Sequence, residues 1–302
     1  MTTVVALGGN TLIRPGERGT AAQQLANLRA TCEALRPLFR GNERVAITHG
    51  NGPQAGNMLL RHERAAAEAP PHPLWLVVAE TQAEIGALIA TELPPVAGRP
   101  VACLLTRVAV DRDDPAFDEP TKPIGPFYAG DEADVLRRER GWRLAEDSGR
   151  GFRRLVASPR PVAVLEENEI RAVLDSGSIP VCCGGGGIPV RSAEEPRGVD
   201  AVVDKDRTAA LLAVQLGAER LLVLTDVPAL QRGFGTPEAE DVRELTVAEA
   251  ESLLPELAAG SMRPKLESCA DFVRQTGGDA LITDDASLAD ALTGRAGTRL
   301  AR

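Results

Sequence analysis

Lysine is nearly absent. It occurs three times, at Lys122, Lys205 and Lys265, against 31 arginines. A chain that places Arg almost wherever a cation serves keeps Lys where a compact ammonium is needed rather than a planar fork. Histidine is equally scarce, and His49, His62 and His72 stand at no metal-ligand spacing, so no resident metal site is expected. The five cysteines are odd in number and form no C-x-x-C pair, which fits a reduced cytoplasmic setting. No apolar run reaches membrane-spanning length, and Thr2-Thr3-Val4 leads straight into a strand-like segment rather than a signal peptide, so no membrane partner is expected. The net charge of -9 argues against a broad nucleic-acid-binding surface. There is no G-x-x-x-x-G-K-[ST], which excludes a P-loop NTPase. There is also no G-x-G-x-x-G between an early strand and helix, no H-R-D or D-F-G set, and no G-x-S-x-G elbow.

What is present is an alternation of short apolar runs and helical periods over 302 residues, 43% of them hydrophobic. Apolar runs at 4–7, 45–47, 101–105, 179–183, 220–224 and 279–282 read as strands. Helical spacing covers 20–39, 53–67, 75–93, 166–176, 207–216, 246–254, 265–275 and 287–292. Residues 297–300 read as a last edge strand; Asp206 can cap the helix 207–216, and Asp204 is the other candidate for a plain cap there. Such alternation predicts an α/β fold with a mostly parallel sheet covered on both faces, in which ligands bind beyond the carboxyl ends of the strands. Residues 111–160, rich in charge and proline, read as a lid-like subdomain inserted in a single domain spanning 1–302.

Three predicted strands end in glycine-rich turns: Gly8-Gly9-Asn10, Gly50-Asn51-Gly52 and Gly184-Gly185-Gly186-Gly187. Glycines expose a row of backbone N–H groups and permit close approach of an anion. The third turn leads to Asp204-Lys205-Asp206 at a helix start, where a lysine lies between two carboxylates and phosphate can be recruited. Together these features read as the phosphate-transfer centre of a small-molecule kinase.

Several motifs in order along nearly the whole chain resemble the carbamate kinases of the amino acid kinase superfamily. They are Gly8-Gly9-Asn10, Thr48-His-Gly-Asn-Gly-Pro-Gln54, Asp114-Pro-Ala-Phe117, Pro120-Thr-Lys-Pro-Ile-Gly125, Gly184-Gly-Gly-Gly-Ile-Pro-Val190, Asp204-Lys205-Asp206, Phe234-Gly-Thr-Pro237 and Gly260-Ser-Met262 with Pro264-Lys265. The resemblance implies a three-layer αβα sandwich, a homodimer, and reversible phosphoryl transfer between ATP and carbamate with Mg2+, giving ADP and carbamoyl phosphate. It implies that Lys205 and Lys265 contact the nucleotide phosphates and the transferred group. Lys122 then reaches in from the insertion, and Asp206 orients the two other lysines. Gly8, Gly9, Asn10, Gly50, Asn51, Gly52 and the glycines 184–187 would hold carbamate and the phosphoryl group. Thr225, Asp226, Phe234, Gly235 and Met262 would lie near the nucleotide. The physiological direction implied is ATP synthesis in arginine or related nitrogen catabolism. Thr11, Arg107, Arg263 and the stretch Thr81-Gln-Ala-Glu84 depart from the expected pattern. Two other readings stay open: a related enzyme that phosphorylates another small carboxylate, and a catalytically silent nucleotide-binding regulator.

Overall fold

A computed structural model describes residues 1–8, 11–14, 16–147, 151–257 and 262–302. The first part of the chain forms β1 (Thr2–Leu7), α1 (Ala21–Leu35), β2 (Arg44–His49), α2 (Gly52–Ala65), α3 (Leu74–Glu92), α4 (Pro94–Ala97), β3 (Val101–Cys103) and β4 (Arg107–Val110). The middle forms β5 (Lys122–Tyr128), α5 (Gly130–Arg140), β6 (Leu144–Glu146), β7 (Phe152–Val156), β8 (Pro161–Val164), α6 (Glu167–Asp175), β9 (Ile179–Val181) and β10 (Ile188–Val190). The last part forms α7 (Lys205–Leu216), β11 (Arg220–Leu224), β12 (Leu230–Arg232), β13 (Glu240–Val242), β14 (Glu244–Thr246), α8 (Val247–Leu253), α9 (Met262–Thr276), β15 (Asp279–Thr283), α10 (Leu288–Ala291) and β16 (Thr298–Ala301).

Eight strands make one sheet in the order β14-β16-β15-β11-β1-β2-β9-β3. Every neighbouring pair is parallel except β15 and β16. Alternation along the central strands feeds two cores. Val4, Ala6, Leu221, Val223, Ala280 and Ile282 share one with buried residues of α6, α7, α8 and α9. Val5, Leu7, Leu222, Leu224 and Leu281 share the other with α1, α3 and α10. Both faces are therefore apolar, which is why these strands read as continuous apolar runs rather than alternating ones.

The expected edge strand at 297–300 is not at an edge: β16 lies between β14 and β15. The true edge, β14, buries only Leu245 and so carries no sequence pattern. A second sheet, β10-β4-β8, and the hairpin of β12 and β13 also fall outside the sequence expectation, since their strands are only three or four residues long. Helix α3 is long and apolar enough to cross a membrane by length and composition. Val77, Val78, Thr81, Gln82, Ile85, Gly86 and Ile89 of this helix are buried in the protein.

Within 111–160 the chain leaves the main sheet. There β5, β7 and β6 form an antiparallel sheet in the order β5-β7-β6. It carries its own small core, with Tyr128, Ala133 and Leu144 packed against Leu136, Trp142 and Phe152. Ile124 and Val156 instead pack with Ala55 and Leu59 of α2 and with Leu74, Val77 and Val78 of α3. This smaller sheet is thereby seated above the helices that start near the carboxyl ends of the main strands.

Candidate active site

Strands β1, β2 and β9 lie side by side and parallel, so the turns that follow them emerge at one end of the sheet. A Cβ on Gly8 would come within 3.0 Å of the Leu224 carbonyl oxygen. Gly9 and Asn10 lie outside the described residues, as do Gly260 and Ser261. After β2, the N–H of Gly50 donates to the Leu7 carbonyl, and Asn51 precedes α2 with its side-chain amide donating to Thr81 Oγ1 at 2.9 Å.

The third turn has the strongest backbone requirement. Gly185, Gly186 and Gly187 adopt φ of +64°, +90° and +87°. A Cβ on Gly185 would sit 2.2 Å from the Asn51 amide nitrogen, and one on Gly186 would sit 2.2 Å from the Val203 carbonyl oxygen. Only glycine meets both conditions without strain. Among the described residues, Cys183 just before the turn is the one non-glycine with positive φ, at 53°. Thr106 supports it by accepting the Cys183 N–H at 3.1 Å, and Thr106 is gripped in turn by both ends of the Gln82 amide. Thr81 and Gln82, within the stretch that departs from the family pattern, thus brace Asn51 and the glycine turn.

His49 is fully buried, with Nδ1 3.0 Å from its neighbour's carbonyl oxygen at Gly50. Burial lowers its pKa to about 4, against an opposing push from that hydrogen bond and with help from the Lys205 charge. Its ring packs where a Cβ on Gly184 would fall. It is a neutral spacer at neutral pH.

The Asp204-Lys205-Asp206 segment divides its work differently from the sequence expectation. Asp204, not Asp206, caps α7: its Oδ1 accepts the N–H groups of Asp206 and Arg207. A capping residue needs an extended backbone just outside the helix, and Asp204 has it, with ψ 126°, while Asp206 is already in the first turn. The other Asp204 oxygen accepts Lys122 Nζ at 3.1 Å, so one carboxylate joins the helix start to the smaller sheet. Burial alone would raise the Asp204 carboxyl. The charges of Lys122 and Lys205, with the hydrogen bonds from Lys122 and the Arg207 N–H, outweigh it and hold the group well below the usual carboxylate range.

Asp206, 3% exposed, is freed by this arrangement to face two ammonium groups. Lys205 Nζ lies 2.5 Å from Oδ1, and Lys265 Nζ of α9 lies 3.4 Å from Oδ2. Thr208, one turn along α7, donates to the Gly186 carbonyl at 2.9 Å and fastens the glycine turn to the same helix. All three lysines, Asp204 and Asp206 line one cleft of about 200 Å³ together with Gly50, Asn51, Gly52 and Gly185.

The remaining site expectations fall elsewhere. Gly184, Gly186 and Gly187 belong to the same buried turn as Gly185 but do not line the cleft. Thr225 follows β11 with its N–H on the Thr283 carbonyl, and Asp226 is next to it. Phe234, 72% exposed, and Gly235 form the tip of the β12–β13 hairpin, and Met262 opens α9. None of these five lines the cleft. Arg263 is turned onto the carbonyls of Pro255 and Leu257, and Arg107 pairs with Glu166.

Two contributors were missed as site residues. Asp204 was visible in its motif but read as a flank of Lys205 or a plain helix cap, not as a site residue. Arg153 lines the cleft on β7, held by the Gly125 carbonyl and Asp147, yet one arginine among 31 carries no signal. Sequence spacing also hid a grouping away from the cleft, in which His62 of α2, His72 of the following loop and Glu80 of α3 meet.

The Amino acid kinase family model matches residues 1–284. A carbamate kinase of Halobacterium salinarum is 44% identical, over 98% of this chain and 97% of its own length. One from Haemophilus influenzae is 42% identical, over 100% and 97% respectively. The solved structure of carbamate kinase from Giardia lamblia bound to AMP-PNP superposes with a TM-score of 0.91 at 36% identity, covering 99% of this chain and 98% of that one. With a family model spanning most of the sequence and full-length relatives above 40% identity, the chain belongs to the amino acid kinase family, among its carbamate kinases.

Proposed function

We propose that the protein transfers a phosphoryl group reversibly between ATP and carbamate, running toward ATP synthesis from ADP and carbamoyl phosphate. The observation that carries this reading is the buried Asp206 carboxylate with Lys205 and Lys265 on its two oxygens, facing Lys122 and the glycine turn across one cleft. In the ATP-forming direction an ADP β-phosphate oxygen attacks the phosphorus, and the bond from phosphorus to the carbamate oxygen breaks. Carbamate leaves as an anion and needs no proton at that step. No general base is required, in keeping with the neutral, buried His49.

The chemical problem is to hold two anions in line and to stabilise charge spread over the moving phosphoryl group. Lys205 and Lys265 would contact the nucleotide phosphates and that group, and Lys122 would approach it from the smaller sheet. Asp206 would be a positioning residue for Lys205 and Lys265. Gly8, Gly9, Asn10, Gly50, Asn51, Gly52 and the glycines 184–187 would hold carbamate and the phosphoryl oxygens, with the N–H groups of Gly50, Gly186 and Gly187 engaged instead by the carbonyls of Leu7, Cys183 and Gly184. Thr225, Asp226, Phe234, Gly235 and Met262 would flank the nucleotide. Each phosphoryl-stabilising cation would contribute about 3–4 kcal/mol to lowering the barrier.

The carboxylates of the cleft, Asp204 and Asp206, are engaged by lysines and helix N–H groups, so they form no ready cage for a divalent ion. Mg2+ fits there as an ion carried on the nucleotide phosphates, keeping waters of its own. When bound it neutralises part of the polyphosphate charge.

The 111–160 subdomain would act as a lid, with the Lys122–Asp204 pair opening to admit substrate. The enzyme would work in the cytoplasm as a homodimer; its five cysteines are free, in keeping with a reduced setting. The test is donor choice. Carbamoyl phosphate should yield ATP from ADP and Mg2+ far above a blank without enzyme, and acetyl phosphate should yield little. The reverse order would assign the site to another small carboxylate.

A further inference from the structure

Two of the three histidines converge on one carboxylate outside the cleft. His62 Nε2 lies 3.1 Å from Glu80 Oε2, and His72 Nδ1 contacts Glu80 Oε1. The two imidazole centroids are 4.8 Å apart, and one ligand atom from each of the three residues lies within 4.8 Å of the others. The residues come from the last turn of α2, the proline-rich loop after it and the second turn of α3.

Composition makes this grouping specific. Where this chain pairs a carboxylate with a cation it uses arginine almost throughout, and arginine would serve Glu80 as a charge partner better than two imidazoles. Imidazole offers what arginine cannot, a neutral nitrogen lone pair.

We propose that His62, His72 and Glu80 form a binding site for a divalent transition metal of the Zn2+ type, closing the α2–α3 hairpin. A tetrahedral ion with bonds of about 2.0–2.1 Å places its ligand atoms about 3.3 Å apart, so only small side-chain rotations separate the present contacts from a metal-bound set. Metal binding would shift each imidazole proton from the nitrogen that now donates to Glu80 onto the other ring nitrogen, and the lone pair so freed would turn to the ion. His72 is exposed, leaving room for water as the fourth ligand. The neighbouring Glu63 accepts the Tyr128 hydroxyl at 3.0 Å, so the ion would pin the end of α2 at the root of the smaller sheet.

The test uses untagged full-length protein without nucleotide, titrated with ZnCl2 by calorimetry and with CoCl2 by visible absorption. The wild type should bind one Zn2+ per chain, give the d–d bands of a tetrahedral site with Co2+, and gain melting temperature. His72→Gln and Glu80→Gln should each weaken Zn2+ binding at least roughly tenfold while melting normally without metal. Cys103→Ser, which removes an exposed thiol, should change nothing. The proposal is overturned by no saturable binding to the wild type at about 100 µM metal. It is also overturned by binding that survives both substitutions, or by binding lost in Cys103→Ser instead.

Discussion

Replacing Asp206 by Asn keeps the size of the side chain and one acceptor oxygen but removes the charge that two ammonium groups share. At 2.5 Å and 3.4 Å, with an effective dielectric of about 20, the gross attractions are about 7 and about 5 kcal/mol. Desolvation offsets most of this, and breaking a buried pair by removing one partner has a net effect of about 3–5 kcal/mol. Lys205 and Lys265 then repel each other without a screen, and the amide oxygen can hold only one of them. The loss therefore falls on the position of the second ammonium, which the transition state needs more than the bound nucleotide does. A fall in kcat of about 10²–10³ is expected, with ADP affinity changed less than about tenfold. Urea unfolding without ligand should show about 3 kcal/mol of lost stability, and ADP, whose phosphates replace the missing charge, should restore more stability to the variant than it adds to the wild type. Steady-state ATP formation and ligand-dependent unfolding measure both quantities. A variant with kcat within threefold of wild type would refute the role of Asp206 as the anchor of the two lysines.

Other expectations follow from the same geometry. Lys205→Arg keeps the charge but replaces a compact ammonium with a wide fork beside Asp206, so turnover should fall by orders of magnitude with the melting temperature nearly unchanged; near-normal turnover would contradict it. Gly186→Ala combines φ +90° with a Cβ 2.2 Å from the Val203 carbonyl and should destabilise the protein by about 2–4 kcal/mol in urea unfolding. His49 has a folded-state pKa of about 4 against 6.5 when unfolded. Between those values the unfolded chain binds a proton that the folded one refuses, so stability should decline as pH falls through that window, by on the order of 3 kcal/mol in all. His49→Gln should flatten that slope, and an unchanged slope would show that other groups cause it.

The sheet and the centre of the site were legible because physics left marks in the sequence. Central strands buried on both faces read as apolar runs, and the 184–187 turn stood out because positive φ and close packing at Gly185, Gly186 and Gly187 admit no other residue. Lys122, Lys205 and Lys265 were visible because the rest of the chain avoids lysine. Arg153 was invisible for the opposite reason. Short strands such as β4 and β14 have too few residues to display a period. The exchange of roles between Asp204 and Asp206 depended on where the backbone turns helical, a matter of one or two residues that composition does not set. The meeting of His62, His72 and Glu80 depends on how α2 folds back on α3, a tertiary fact with no spacing of its own.

The most direct test of the central claim is initial-rate ATP formation from ADP, Mg2+ and carbamoyl phosphate, for the wild type and Lys205→Ala, with ADP binding measured on both. The account predicts rapid ATP formation by the wild type and a loss of at least about 10² in the variant, which still binds ADP. Equal rates in the two proteins, or no ATP from a wild type that binds ADP, would contradict it.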